Sequence, residues 1–499
     1  MFLSKYTNKH KKAILFPPIV LFLHFKFLMM KIEQIYTNCI AQAAYYIESN
    51  GEAAIFDPLR EVQPYIDRAQ KDNANIKYIF ETHFHADFVS GHLDLASKTG
   101  AKIVYGTTAN PNFESIIATD NQMFNVGNCT IKALHTPGHT MESTCYLLID
   151  ENGKQQGIIT GDTLFIGDVG RPDLAQTMTS DLTQEKLAGF LFDSLRNKIM
   201  VLPDDLTVYP SHGAGSACGK NMSKETTDTL GNQKKTNYAL RADMTKEEFI
   251  SELIDGLSLP PAYFPQNVQM NIDGYQSLDL ILEKSLKALS PIEFHQLSQE
   301  HDIVVLDVRH EDDFVKAHIP NSIFVGIQGN FAPWVGSVIG NVNQKLIIVA
   351  PQGREQETIT RLSRVGFDHV LGYLEGAIEA WKNAGFETES IESISPEVFA
   401  QQYANESMVI DARKPSEFEA EHVENALNFP LDNVHSNYHQ IDKNILFYLH
   451  CAGGYRSVIM ASVLKSKGLS HFINIEKGMS GIKKTAVATT NFLCPSTLK

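Results

Sequence analysis

Six cysteines in 499 residues, at positions 39, 129, 145, 218, 451 and 494, are too few and too scattered for the disulfide framework of a small secreted domain. Their spacing implies a reducing cytosol with thiols available for chemistry. An excess of positive charge is also missing: 43 Lys and Arg stand against 58 Asp and Glu, a net charge of −15. That balance speaks against nucleic acid or an anionic membrane surface as the main partner. Nor is there an unbroken apolar run long enough to span a bilayer. The best candidate, "NKHKKAILFPPIVLFLHFKFLMM", has the basic start of a signal peptide. Pro17, Pro18, His24 and Lys26 interrupt it, and no small-residue cleavage site follows. Residues 1–30 therefore read as an extension ahead of a start near Met30, not native or disordered, with an uncleaved anchor as the lesser reading.

What is present is the composition of an ordinary globular protein, 43% hydrophobic and 20% charged. At roughly 150 residues per domain, the length suggests about three domains. Over residues 31–256, short β-rich runs alternate with helical patterns, which predicts α/β layering. "IKYIF" leads to His83, His85 and Asp87, "TIKAL" to His139, "GIITG" to Asp162 and "LTVYP" to His212. Ligands at the ends of four strands are expected to converge on one sheet edge, where loops on a rigid scaffold place sites. Neutral imidazoles and carboxylates brought together this way suit a transition metal. In "ETHFHADFVSGH" the position after Asp87, where a second-site His would complete a two-metal pattern, holds Phe88. His92 and His135 read as surface histidines.

Residues 257–285, polar and containing proline, read as a linker packed on a neighbour. Beyond it lies an internal repeat. "VVLDVRHEDDFVKAHIPNSIFV" (304–325) matches "MVIDARKPSEFEAEHVENALNF" (408–429), pairing Asp307, Arg309, Phe314 and His318 with Asp411, Arg413, Phe418 and His422. The period of about one hundred residues is that of a domain, giving modules at 286–388 and 389–485 and a tail at 486–499. In the second, "LHCAGGYRS" puts Cys451 at the mouth of a helix, where backbone N–H groups and the helix terminus stabilise a thiolate. Arg456 closes that loop. In the first, "IIVAPQGREQE" has no cysteine, and counting back from the helix sets Val349 opposite Cys451.

The motifs "THFHAD", "HTPGHT", "TGDTLF" and "YPSHG" resemble those of the metallo-β-lactamase superfamily, which implies an αββα sandwich. "ETHFHADFVSGHLDLA", "GDTLFIGDVGRPDL" and "HGAGSACGK" resemble its persulfide dioxygenase branch fused to sulfurtransferase domains. That resemblance implies one Fe(II) per chain held by His83, His139 and Asp162, with His85, Asp87 and His212 nearby as supporting groups or alternative ligands. It also places Arg171 at a substrate-contacting position, where a guanidinium suits a thiol carrier's carboxylate. Cys218 is left open. The Cys451 segment, with "IDAR" and "EHVENALNFP", resembles a rhodanese domain, in which such a cysteine carries sulfane sulfur, while the first copy resembles an inactive module.

The expectation is a cytoplasmic α/β enzyme of sulfide detoxification: a metallo-β-lactamase sandwich followed by two rhodanese-like domains. It would use O2 to oxidise the persulfide of a small thiol, such as glutathione or coenzyme A, to sulfite. Cys451 would then give thiosulfate. No nucleic acid or membrane partner is expected, and a homo-oligomer is left open. The rival is a zinc-dependent thioester hydrolase resembling glyoxalase II.

Overall fold

Alternation decides the first half of the chain. In β1 (Lys31–Thr37), β2 (Gln42–Ser49), β3 (Glu52–Phe56), β4 (Asn75–Phe80), β5 (Lys102–Tyr105) and β6 (Ile116–Ile117), odd and even side chains take opposite faces of one sheet, in sequence order. A second sheet runs β12-β11-β10-β9-β8-β7, built from β7 (Met123–Val126), β8 (Cys129–His135), β9 (Thr144–Ile149), β10 (Gln155–Gly161), β11 (Thr207–Pro210) and β12 (Asp228–Thr229). Between the sheets pack Tyr45, Ile47, Phe56, Phe80, Tyr146, Leu148 and Ile159. The alternate residues Tyr46, Ile55 and Ile79 face helices with Tyr65 and Leu95, while Leu147, Ile158 and Val208 face helices with Ala188, Leu191 and Phe249. Strands buried on both faces this way form the centre of an αββα sandwich. The computed structural model describes residues 30–174, 182–257, 259–404 and 407–492. The expected N-terminal extension, except Met30, and residues 493–499 of the tail, Cys494 among them, lie outside them. Among the described residues no helix is long and apolar enough to cross a membrane.

The repeat becomes two sheets of one topology. The first contains β13 (Ala288–Leu289), β14 (Ile303–Asp307), β15 (Ile323–Phe324), β16 (Lys345–Val349) and β17 (Val370–Leu374), in the order β13-β17-β16-β14-β15. The second contains β18 (Ser393–Ile394), β19 (Met408–Asp411), β20 (Leu427–Asn428), β21 (Phe447–His450) and β22 (Phe472–Ile475), in the order β18-β22-β21-β19-β20. All pairings in both are parallel. The repeated residues are structural devices. Arg309 clasps Asp307 and Arg413 clasps Asp411, while His318 and His422 donate from Nδ1 to the carbonyls of Phe314 (2.8 Å) and Phe418 (2.7 Å) and stack on those rings.

The stretch read as a linker is more than a connection. It holds helices Phe264–Asp273 and Leu278–Ser285, the first ending at Gly274 (φ 92°) and the second capped by the Ser277 hydroxyl. Tyr263 and Phe264 are buried. Arg60, with no exposed surface, reaches across to Asp368 at 2.7 Å, and the Val89 amide donates to the Arg364 carbonyl at 2.7 Å. The cysteine-free copy is thus bonded directly to the loop of the sandwich that follows β4.

Candidate functional site

The strand ends meet between two sheets, not along one as the sequence suggests. β4 belongs to the first sheet and runs into the loop with His83, His85 and Asp87. β8, β10 and β11 belong to the second and lead to His139, Asp162 and His212. Gly170 lets the walls close: its amide lies 3.0 Å from the Asp162 carbonyl, and a Cβ there would sit 2.0 Å from that oxygen.

The ligand atoms of His83, His139 and Asp162 lie within 4.8 Å of one another. His139 Nε2 is 3.4 Å and His83 Nε2 3.9 Å from Asp162 Oδ2. Each imidazole is held from behind. His83 Nδ1 lies 2.9 Å from Thr82 Oγ1, His139 Nδ1 2.8 Å from the Arg171 carbonyl, and His212 Nδ1 3.1 Å from the Ala41 carbonyl. Such partners keep the proton on Nδ1 and turn a bare Nε2 inward, as metal-binding histidines require. Burial, reinforced by His85, His139 and His212, holds His83 well below the usual imidazole value, so it is a neutral donor. Both Asp162 carboxylate oxygens, Asp87 Oδ1 and His212 Nε2 are buried without a hydrogen-bond partner. Orphaned acceptors pointing at one spot are costly unless a cation compensates them, so the residues present fit a bound metal.

His85 behaves differently. Its Nε2 is 3.1 Å from Asp57 and 3.4 Å from Glu81, away from the Asp162 carboxylate, and its ring lies 4.2 Å from that of Phe88. Burial opposes its charge, but Asp57 and then Glu81 raise its proton affinity well above the usual value. A second group, Asp87, His212 and Cys218, also has its ligand atoms within 4.8 Å. His212 Nε2 lies 3.5 Å from both Asp87 Oδ2 and Asp162 Oδ1. Burial raises both Asp87 and the Cys218 thiol. His92 is not on the surface: it is fully buried, with Nδ1 3.5 Å from Glu81. Arg171 is buried too, its guanidinium bonded twice to Asp173 at 2.6 Å and once to the Ala217 carbonyl at 3.3 Å.

Asp57, Glu81, Thr82 and Asn271 escape sequence reasoning. Asp57 accepts from the Thr82 amide and hydroxyl and from Ser211. Asn271, in the supposed linker, donates to the carbonyls of His85 (2.8 Å) and Phe88 (2.9 Å). Nothing local marks either role, because these partners lie between 25 and 186 residues away in the chain.

Cys451 follows β21 and is buried, with the Gly454 amide 3.2 Å from its sulfur. Gly478 allows the loop to pack, since a Cβ there would meet the Cys451 carbonyl at 2.1 Å. Arg456 is bound to Glu417 through two contacts, 2.6 and 2.7 Å, and that pairing outweighs burial to keep Glu417 below the usual carboxylate range. In the first copy, Val349 pairs with Asp307 as His450 pairs with Asp411. Ala350, not Val349, therefore stands opposite Cys451. Counting from the helix fails because Glu355–Arg364 has 10 residues and Tyr455–Ser466 has 12.

Comparison with known proteins agrees with this architecture. Residues 37–212 match the metallo-beta-lactamase superfamily, and residues 290–384 and 395–485 each match the rhodanese-like domain. The probable hydroxyacylglutathione hydrolase glo2 of Schizosaccharomyces pombe is 33% identical over 162 residues, 32% of this chain, which spans only 58% of that relative's length. The hydroxyacylglutathione hydrolase of Pseudoalteromonas translucida is 32% identical over 197 residues, 39% of this chain and 68% of that protein. A crystal structure of a metallo-beta-lactamase from Staphylococcus aureus subsp. aureus COL covers 69% of this chain and 98% of its own, with 31% identity and a TM-score of 0.61. With this sandwich, these strand-end ligands and these matches, the chain belongs to the metallo-β-lactamase superfamily and carries two rhodanese-like domains behind its metallo-β-lactamase domain.

Proposed function

We propose that the chain is a cytoplasmic persulfide dioxygenase joined to a sulfurtransferase, with one iron held by His83, His139 and Asp162. The observation that carries this reading is Phe88, which takes a second-site ligand position and packs on His85 while His85 faces Asp57 and Glu81. Two imidazoles and one carboxylate with open positions opposite suit non-haem Fe(II), which supplies the redox chemistry toward O2 when bound. The reaction is RSSH + O2 + H2O giving RSH, sulfite and two protons. Thr82 and the Arg171 carbonyl keep His83 and His139 as Nε2 donors, and the buried rings of Phe88 and Phe165 lie against those of His85 and His212. A contact between Arg171 and the carrier's carboxylate would share a guanidinium already paired with Asp173.

In the second reaction the Cys451 thiolate takes the outer sulfur of RSSH and releases RS⁻. Sulfite then takes that sulfur, leaving thiosulfate and the free thiolate, with the Gly454 amide beside the sulfur.

One observation favours a second reading. The Asp87, His212 and Cys218 group offers a further metal position, and the curated relatives are named as hydroxyacylglutathione hydrolases. That reading is a zinc thioester hydrolase. Metal analysis of anaerobically purified protein, followed by O2 uptake with glutathione persulfide and hydrolysis of a hydroxyacylglutathione, separates the two. Two zinc ions per chain and O2-independent thioester cleavage would overturn the dioxygenase.

A further inference from the structure

The cysteine-free copy has no thiol to carry sulfur, yet it is built into the site of the copy that does. The Tyr455 hydroxyl, first residue of the helix after the Cys451 loop, donates to the Gly326 carbonyl at 2.7 Å, and the Ser462 hydroxyl accepts from the Phe324 amide at 2.9 Å. Gly329 leaves room for the Tyr455 ring, which a Cβ would meet at 2.5 Å. Helix Tyr455–Ser466 is buried on nearly every side, so its outer face is covered by the neighbouring copy.

Beside these contacts lies a half-open pocket of about 520 Å³ to which all three modules contribute. The metallo-β-lactamase domain supplies Asp87, from the metal-ligand loop, and Ala217, next to Cys218. The cysteine-free copy supplies Trp334, from helix Phe331–Ile339. The active copy supplies Cys451 with Lys414 and Arg456. The volume falls within the range of small-molecule sites, far more than sulfite alone needs. Trp334 stands among side chains of both signs, Lys414 and the Glu417-bound Arg456 with Asp87 and Asp432, a lining that fits a peptide-sized thiol carrying both an ammonium and carboxylates, as glutathione does.

We infer that this pocket is one binding chamber for the small-thiol carrier, bordered by Asp87 beside the metal cluster and by Cys451, with the cysteine-free copy as its third wall and Trp334 as a positioning residue. The inference rests on the proposed persulfide chemistry and deepens it. Two RSSH, O2 and H2O give two RSH, thiosulfate and two protons, and sulfite passes between the reactions without leaving the chamber.

Trp334 is one of only two tryptophans, the other being Trp381 in the core of the cysteine-free copy. Full-length, metal-free protein titrated with glutathione should therefore show a saturable change in tryptophan fluorescence. Trp334→Phe should lose that change, and Lys414→Glu should weaken the affinity. The same response in Trp334→Phe, or none in the parent, would overturn the chamber. In aerobic turnover of glutathione persulfide with excess isotopically labelled sulfite, the sulfonate sulfur of thiosulfate should stay largely unlabelled once the Cys451→Ser background is subtracted. Full bulk labelling would overturn the inference. The fluorescence arm needs neither metal nor O2, so its failure sinks the chamber alone, whereas absent O2 uptake with an intact fluorescence response sinks only the reading of the metal site.

Discussion

The rings of His85 and Phe88 lie 4.2 Å apart with 30° between their planes, and His85 turns its Nε2 to Asp57. A phenyl ring at this position offers no ligand atom and gives His85 a surface to pack on.

Replacing Phe88 by His should restore a donor beside Asp87 and His212. Metal bound per chain should rise from about one toward two under saturating zinc, while O2 uptake with glutathione persulfide falls. Elemental analysis and an oxygen electrode read both outcomes. An unchanged metal content would show that Phe88 is not what limits the site.

Thr82→Val should weaken metal binding without removing a ligand. The Thr82 hydroxyl links His83 Nδ1 to Asp57, and loss of such a partner typically costs about 10–100-fold in metal affinity. Competition with a chelator measures it, and Thr82→Ser should recover most of the loss.

His318 gives the cysteine-free copy a pH dependence. Burial pushes it from its ordinary 6.5 down to about 4. The folded form therefore resists a proton that the unfolded chain accepts, so its contribution to stability is intact above about pH 6.5 and is lost progressively as pH falls toward 4. The span amounts to about 3 kcal/mol. His318→Asn should flatten denaturant midpoints across that window. An equally steep dependence in the variant would assign the effect elsewhere.

Cys451→Ser should abolish sulfur transfer from thiosulfate to cyanide, because a hydroxyl forms no persulfide. Adding Ala350→Cys should not restore it. The loop 350–354 is one residue longer than 451–454, and Arg354 at its helix start is already clasped by Glu357. Recovery of transfer in the double variant would mean that a thiol at this position is all the first copy lacks.

The α/β layering, the strand-end positions of the histidines and aspartates, the repeat and the missing cysteine are written in the sequence by itself. They depend on period-two alternation, on residue chemistry and on short loops, all of which act over a few residues. Tertiary structure alone decides the rest. The strand ends come from two sheets; His85 faces Asp57; His92 is buried against Glu81; residues 257–285 clamp the loop of His85 through Asn271; and Trp334 lines the same pocket as Cys451. Asn271 reaches across 186 residues to the His85 carbonyl and Arg60 across 308 to Asp368. Partners so distant leave no periodic trace, because only the packing of finished domains brings their donors and acceptors within reach.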